Sequence, residues 1–164
     1  MIRTVGLLML LIAAALAGNT AAKGLEGRVR RLQMLELFCE AAGSELKYLL
    51  PTVKELLCSL AQRADFQSLL FLQNAAAAHT PFPESWRNAV ETDKTLCADE
   101  REILRTIGAT LGSTELSAQL SALKLCGERF QRLRETAETE VLRRGRLYRS
   151  MGILTGIFLV ILLL

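Results

Sequence analysis

The sequence predicts an all-α protein: an antiparallel bundle of about six helices, flanked by N- and C-terminal transmembrane helices. Two observations lead to this prediction. Leu and Ala dominate the 164 residues, whereas aromatic residues make up only 5% and proline occurs 3 times, a mix that favours helices over strands. Apolar residues also recur at three- and four-residue steps, as on the buried face of a helix. We expect transmembrane helices at 1–22 and 147–164, and a cytoplasmic helical bundle at 23–146.

The first membrane segment is predicted from Val5 to Ala22, a stretch without a charged residue. A helix of this length covers about 27 Å, close to the hydrocarbon core of about 30 Å. The same stretch also fits a secretory signal peptide, with Arg3 in the positive region and Ala15-Leu16-Ala17 as the cleavage site. The alternative is therefore an exported helical binding domain with a cleaved signal peptide and a C-terminal membrane anchor.

The second membrane segment is predicted at the C-terminal end of the chain. The apolar run from Met151 to Leu164 covers only about 21 Å as a helix, which is short for a bilayer. Adding Leu147 and Tyr148 brings it to about 27 Å. This extension is tolerable because Arg146 and Arg149 can extend along the apolar surface and place their charges among the headgroups.

Basic residues flank both membrane segments on the side of the central region. They are Lys23, Arg28, Arg30 and Arg31 after the first segment, and Arg143, Arg144, Arg146 and Arg149 before the second. Positively charged flanks stay on the cytoplasmic side of a membrane, so we expect a cell-membrane protein with a cytoplasmic middle. The net charge of +3 and the scarcity of aromatics among the arginines argue against nucleic-acid binding.

The central region begins with two predicted helices. Apolar residues spaced by three and four predict an amphipathic helix from Arg28 to Leu49. Pro51 disfavours the α conformation in the residue before it and therefore ends this helix. Thr52 and Glu55 have the spacing of a capping box, in which each side chain bonds the backbone N–H of the other residue. A second helix is therefore expected to run on to Ala64.

The next two helices are predicted on either side of a proline-rich loop. Asp65 is a suitable N-cap for a third helix that continues into the alanines at 75–78. The loop at Thr80–Pro83 then ends it. A fourth helix can begin at Pro83, because proline is tolerated in a first turn, and we expect it to bury Trp86 in the core.

Two further helices complete the bundle. Asp99 and Glu102 have capping-box spacing, which predicts the start of a fifth helix, and Gly112 is placed to end it as a glycine C-cap. After Ser113 an apolar repeat runs without proline toward the second membrane segment. Gly145 is the expected position of a kink in this long helix, because glycine weakens a helix interior by about 1 kcal/mol.

The sequence contains little that would support catalysis. His79 is the only histidine and has no acidic residue beside it. The cysteines are widely spaced, without the C-x-x-C pairs of zinc sites, and are expected to be buried free thiols: Cys39, Cys58, Cys97 and Cys126. No phosphate-binding loop is visible. We expect no enzymatic activity, cofactor, metal or small-molecule substrate; an enzyme that uses His79 or a cysteine is the alternative.

Several short motifs, in a fixed order, resemble one known family. They are Glu45-Leu46-Lys47-Tyr48 followed by Pro51, then Trp86 in a short helix after a proline loop, then Leu111-Gly112-Ser113 followed by Gln119, and finally Leu147-Tyr148-Arg149-Ser150-Met151-Gly152 followed by Gly156. In these motifs, and over nearly its whole length, the chain resembles the stage III sporulation protein AB family.

This resemblance implies a membrane-anchored scaffold of the secretion-like channel complex that links mother cell and forespore in sporulating bacteria. It also implies a soluble domain similar to the cytoplasmic bundles of type II secretion F proteins. By analogy, the expected partners are stage III sporulation protein AA, a secretion-type ATPase, and other channel proteins. Two sets of residues are candidate contacts: the basic collar of Arg143, Arg144, Arg146 and Arg149, and the turn at Ser113 and Thr114. The collar could equally contact membrane lipids.

Overall fold

The regular secondary structure of the described residues is all helical. The computed structural model describes the backbone of residues 2–112 and 115–145, and the side chains of residues 24, 26–112 and 115–143. The α-helices are α1 (Ile2–Leu49), α2 (Val53–Gln62), α3 (Leu70–Ala77), α4 (Glu84–Thr92), α5 (Ala98–Thr110) and α6 (Leu116–Glu140). Arg31–Leu133 form one compact unit, and the flanking residues belong to a second. The all-α prediction is confirmed, and the helices are consistent with a helical bundle.

Helix α1 is longer than the sequence predicts. A membrane helix and a separate amphipathic helix starting at Arg28 were expected, but one helix covers Ile2–Leu49. The stretch between the two predicted helices contains Gly24 and Gly27 but no proline. Glycine weakens a helix without interrupting its hydrogen bonds, whereas proline removes one.

The predicted membrane segments fall largely outside the described residues. The side chains of Val5–Ala22, and residues 147–164 altogether, lie beyond them. Among the residues whose side chains the structure describes, none of the helices has both the length and the apolar character needed to span a bilayer.

The junction of α1 and α2 forms where the sequence predicts it. Leu50 adopts a left-handed conformation with φ of 47°, and the chain turns at Pro51 into α2. The Thr52 N–H donates to Oε2 of Glu55 at 2.8 Å, and the Glu55 N–H donates to Oγ1 of Thr52 at 3.3 Å. The predicted capping box is therefore confirmed, and it sets the start of α2.

We expect Thr52→Ala to lower the free energy of unfolding by about 1 kcal/mol, since the first turn of α2 loses its cap. Hydrogen bonds from the backbone and side chain of Thr52 lower the pKa of Glu55 below its ordinary 4.5. A lowered folded-state pKa means that the cap contributes stability above the ordinary pKa and loses it as the pH falls. Denaturant unfolding at neutral and acidic pH measures both effects.

Thr106→Ala is the matched control for this prediction. The Thr106 hydroxyl donates to the Glu102 carbonyl within its own helix at 3.1 Å, and alanine is the better helix former. Its stability should be unchanged or slightly higher. An equal loss in both variants would contradict the capping role of Thr52.

The third helix begins later than expected. Asp65 lies in a short 3-10 helix, Ala64–Phe66, and α3 begins only at Leu70. The reason is packing: Phe66 and Leu69 are both buried, and the tighter turn places both in the core. Leu70, the first residue of α3, is 52% exposed. The Asp65 N-cap prediction was therefore wrong.

Helix α5 begins at Ala98, one residue before the predicted cap at Asp99. Glu100, not Glu102, reaches back to the start of the helix, where the Cys97 N–H donates to its Oε2 at 3.1 Å. The residue that caps the start of α5 is thus Glu100, three positions after Cys97. The end of α5 is as predicted, because Gly112 has φ of 75° and follows the last turn.

The core of Arg31–Leu133 is built around Trp86, as predicted. Its ring stacks on Phe38 with centroids 6.1 Å apart, and Phe71 meets it edge-on at 5.4 Å. The indole N–H donates to the Leu104 carbonyl at 2.7 Å. Phe66 also packs against Phe38. These contacts join α1, α3, α4 and α5.

Helix α6 changes character near its C-terminal end. Regular α-helix ends at Glu140, and Val141–Gly145 form a π-helix. A π turn inserts one residue into the helical repeat. The π-helix ends at Gly145, the position where the sequence predicts a kink.

Candidate interaction surface

A groove of about 720 Å³ lies between α1 and α6 within the unit Arg31–Leu133. One wall is formed by residues between Glu36 and Tyr48, and the other by residues between Leu120 and Gln131. At its floor the helices are close: a Cβ on Gly127 would lie 3.5 Å from the Cβ of Cys39. The groove is thus a depression between two packed helices.

The two helices that line the groove run antiparallel. Because Cys39 faces Gly127, only this direction keeps Tyr48 and Leu120 in the same groove. A parallel arrangement would carry Tyr48 past the lining residues of α6. At each end of the groove, the C-terminal lining residues of one helix therefore lie opposite the N-terminal lining residues of the other.

Opposite charges occupy the two ends of the groove. In the register set by Cys39 and Gly127, Glu36 and Glu128 lie toward one end and Lys47 lies toward the other. Glu40 and Lys124 lie between them. The groove therefore has an electrostatic polarity, with carboxylates predominating at one end and an ammonium group at the other. A bound segment would have to match that order of charges.

Three consecutive large apolar residues stand exposed beyond the basic end of the groove. Tyr48, Leu49 and Leu50, here called the apolar tip, are 76%, 72% and 67% exposed. Sequence reasoning missed this feature, since it included Tyr48 and Leu49 in the amphipathic helix Arg28–Leu49 without marking them as exposed. The sequence did indicate the exposure: three adjacent residues cannot all lie on one face of a helix, so three consecutive large apolar residues cannot all be buried against the same core.

The cysteines are poorly suited to chemistry. All four are free, with Cys39 and Cys126 buried and Cys58 and Cys97 half-buried. Burial raises the pKa of the Cys39 thiol far above its ordinary value, and the neighbouring Cys126 adds to this. Burial likewise raises the pKa of Cys126. The reactive form of cysteine is the thiolate, so both thiols are chemically quiet.

No metal site is visible among the residues described: none of their His, Cys, Asp and Glu side chains form a group of three or more suited to hold an ion. His79 is exposed, between the end of α3 and the proline loop.

Most of the sequence-predicted contact residues lie outside the part of the chain that the structure describes. Arg143 is described and exposed, and it lies in the π-helix. The Arg144 side chain lies outside the described residues, as do four other candidates in full: Ser113, Thr114, Arg146 and Arg149. The groove and the apolar tip are therefore the described surfaces with the clearest interaction features.

Comparison with known families gives one result. The family model for stage III sporulation protein AB matches residues 3–164, which confirms the resemblance read from the motifs. No curated protein and no solved structure matches the chain significantly.

Proposed function

Because the chain belongs to the stage III sporulation protein AB family, we propose that it is a membrane-anchored scaffold of the channel complex that links mother cell and forespore. The match over residues 3–164 is the observation that carries this proposal. The family is one of sporulation proteins, and the scaffold role specifies how this member acts. Spore development would depend on the complex that it supports.

The membrane part of the proposal rests on the sequence. Both ends of the chain are apolar, and basic residues flank each end on the side of the central region. This distribution favours anchoring in the mother-cell membrane with the bundle in the cytoplasm. The basic collar of Arg143, Arg144, Arg146 and Arg149 then lies where anionic headgroups or partner carboxylates would meet it.

The proposed mechanism is mechanical, and no bond is made or broken. The bundle would resemble the cytoplasmic domains of type II secretion F proteins, which act beside a secretion-type ATPase. Stage III sporulation protein AA is the ATPase expected in that position, and other channel proteins would be further partners. The quiet thiols and the directional groove are in keeping with a protein that works through contacts.

The proposal predicts that the tagged full-length chain, purified from membranes of sporulating cells, brings stage III sporulation protein AA with it. Deletion of the gene should stop spore development. A tagged membrane protein of the same orientation but another family is the control for non-specific capture. Absence of the ATPase from the purified material at wild-type expression would overturn the proposed role.

The same cells test the orientation. Protease added outside intact protoplasts should leave the central region uncut, and it should digest that region after the cells are lysed. Digestion in intact protoplasts would place the bundle on the wrong side of the membrane.

A further inference from the structure

We propose that the groove between α1 and α6 is the docking site for one amphipathic α-helix of a partner protein. The occupant has a stripe of small apolar residues, with lysine or arginine beside one half of the stripe and aspartate or glutamate beside the other. This inference goes beyond the proposed function, because it concerns the form and charge of the bound segment, whichever protein supplies it.

The first argument is the shape of the groove. Its lining residues recur at steps of three and four on both walls, from Glu36 to Tyr48 on α1 and from Leu120 to Gln131 on α6. Each wall is therefore a continuous helix face of about three turns, or roughly 17 Å. A third helix of that length, about 10 Å across, occupies roughly 1,300 Å³. The groove of about 720 Å³ can therefore hold about half of it.

The second argument is the composition of the floor. Cys39 and Leu123 are buried there, and Gly43 and Gly127 are half-buried. A Cβ on Gly43 would meet nothing within 4 Å, so a partner backbone can approach closely. None of these four side chains has an oxygen or nitrogen that could bond a partner's backbone. An extended segment would leave polar backbone groups unpaired on this floor, whereas a helix satisfies its own.

The third argument is the order of charges along the groove. Five charged side chains line it: Glu36, Glu40, Glu128, Lys47 and Lys124. Because the helices run antiparallel and Cys39 faces Gly127, the three carboxylates come first in the direction of α1 and the two lysines follow. The complementary surface is a helix face with one cationic half and one anionic half.

Neighbouring charges outside the lining preserve this order. Arg129 is one residue past Glu128, which turns it about 100° farther around α6, and it does not line the groove. Arg132 lies one turn beyond Glu128, past the last lining residue of that wall. Glu45 faces α2, where its Oε1 accepts from the Ser59 hydroxyl at 3.2 Å. The lining therefore keeps its carboxylates in one half and its lysines in the other.

Stapled helical peptides test this inference on the full-length chain in detergent. The matched peptide has about four turns, an alanine stripe, glutamates beside its first half and lysines beside its second, with blocked termini that add no charge. The comparison peptide has the same composition and staple, but glutamate and lysine alternate along the stripe. In fluorescence anisotropy, the matched peptide should bind about tenfold more tightly or better. Equal affinities, or no saturable binding, would contradict the inference.

Charge reversal within the groove provides a second comparison. Lys47→Glu combined with Lys124→Glu makes the charged lining uniformly acidic. Affinity for the matched peptide should fall about tenfold or more, and a peptide with lysines beside both halves should bind more tightly than it binds the wild-type chain. Lys54→Glu combined with Lys94→Glu makes the same change in net charge at exposed positions outside the lining, and should leave binding unchanged. An equal loss in both double variants would reveal a mere net-charge effect and overturn the assignment.

Filling the groove tests its use in sporulating cells. Gly43→Phe places a ring in the open space above the floor, and should abolish both peptide binding and spore formation. Ala77→Phe is the matched control, since it adds the same ring at an exposed position of α3, and it should affect neither. Equal thermal midpoints would show that both variants are folded.

The outcomes separate this inference from the proposed function. If cells with Gly43→Phe form spores normally, the groove docks no partner helix and the inference is wrong. The scaffold role would still stand in that case, because capture of the ATPase by the wild-type chain tests it independently.

Discussion

Arg31→Met should lower the free energy of unfolding by about 3–5 kcal/mol, since it removes a charge partner from a fully buried carboxylate. Nε of Arg31 donates to Oε2 of Glu100 at 3.1 Å, and its terminal amino group donates to Oε1 at 3.3 Å. The Glu100 side chain is 0% exposed, and that of Arg31 is 24% exposed. Chemical unfolding of the full-length chain in detergent measures the loss.

The double variant Arg31→Met with Glu100→Met distinguishes charge from packing. Replacing both members of a buried pair by apolar groups of similar size is often close to neutral. The Cys97 N–H also loses its acceptor, at a cost of about 1 kcal/mol. Stability should therefore return to within about 1–2 kcal/mol of wild type. A double variant no more stable than the single one would show that the pair acts through its shape.

An exposed ion pair in the same bundle is the control for this result. Arg105 contacts Glu91 at 2.6 Å, but their side chains are 54% and 44% exposed. Solvent screens such pairs, and they contribute about 0–1 kcal/mol. Arg105→Met should accordingly have little effect. The contrast would show that burial, and not the mere presence of an ion pair, determines the importance of Arg31.

Gly108→Ala should destabilise the protein by about 1–3 kcal/mol, because the position has no room for a methyl group. A Cβ there would lie 2.2 Å from Cδ1 and 2.6 Å from Nε1 of Trp86. The indole cannot move aside easily, since it is held between Phe38 and Phe71 and donates to the Leu104 carbonyl. The unfolding midpoint and the tryptophan emission spectrum should both shift.

Gly43→Ala is the matched control and should have the opposite sign. Gly43 also lies inside a helix, but an added Cβ would have nothing within 4 Å. Alanine there should stabilise α1 by about 0.5–1 kcal/mol, since glycine loses more backbone entropy on folding. If both glycine variants were destabilised alike, the close approach of α5 to Trp86 would not be the cause.

The residues changed in these predictions belong to contacts that hold the C-terminal half of α1 in the core. Phe38 anchors α1 to Trp86 and Phe71 in the core, and Arg31 anchors it to the start of α5. The apolar tip follows directly at the C-terminal end of the same helix.

Features that depend on neighbouring residues were predictable from the sequence. The break at Pro51, the Thr52–Glu55 cap and the glycine turn at Gly112 all appeared where expected. Each is specified within four or five residues, by a fixed φ, a missing N–H or a side chain that bonds its own backbone. The helical class and the family followed in the same way from patterns along the chain.

Features that depend on distant residues were decided only by the tertiary structure. Arg31 and Glu100 are 69 positions apart, so no local pattern marks either as half of a buried pair. The exposure of Leu49 and the need for glycine at 108 depend likewise on which elements pack nearby. The helix that carries a residue determines where its side chain points. Whether that side chain is buried depends on which other elements pack against it, and only folding brings those elements together.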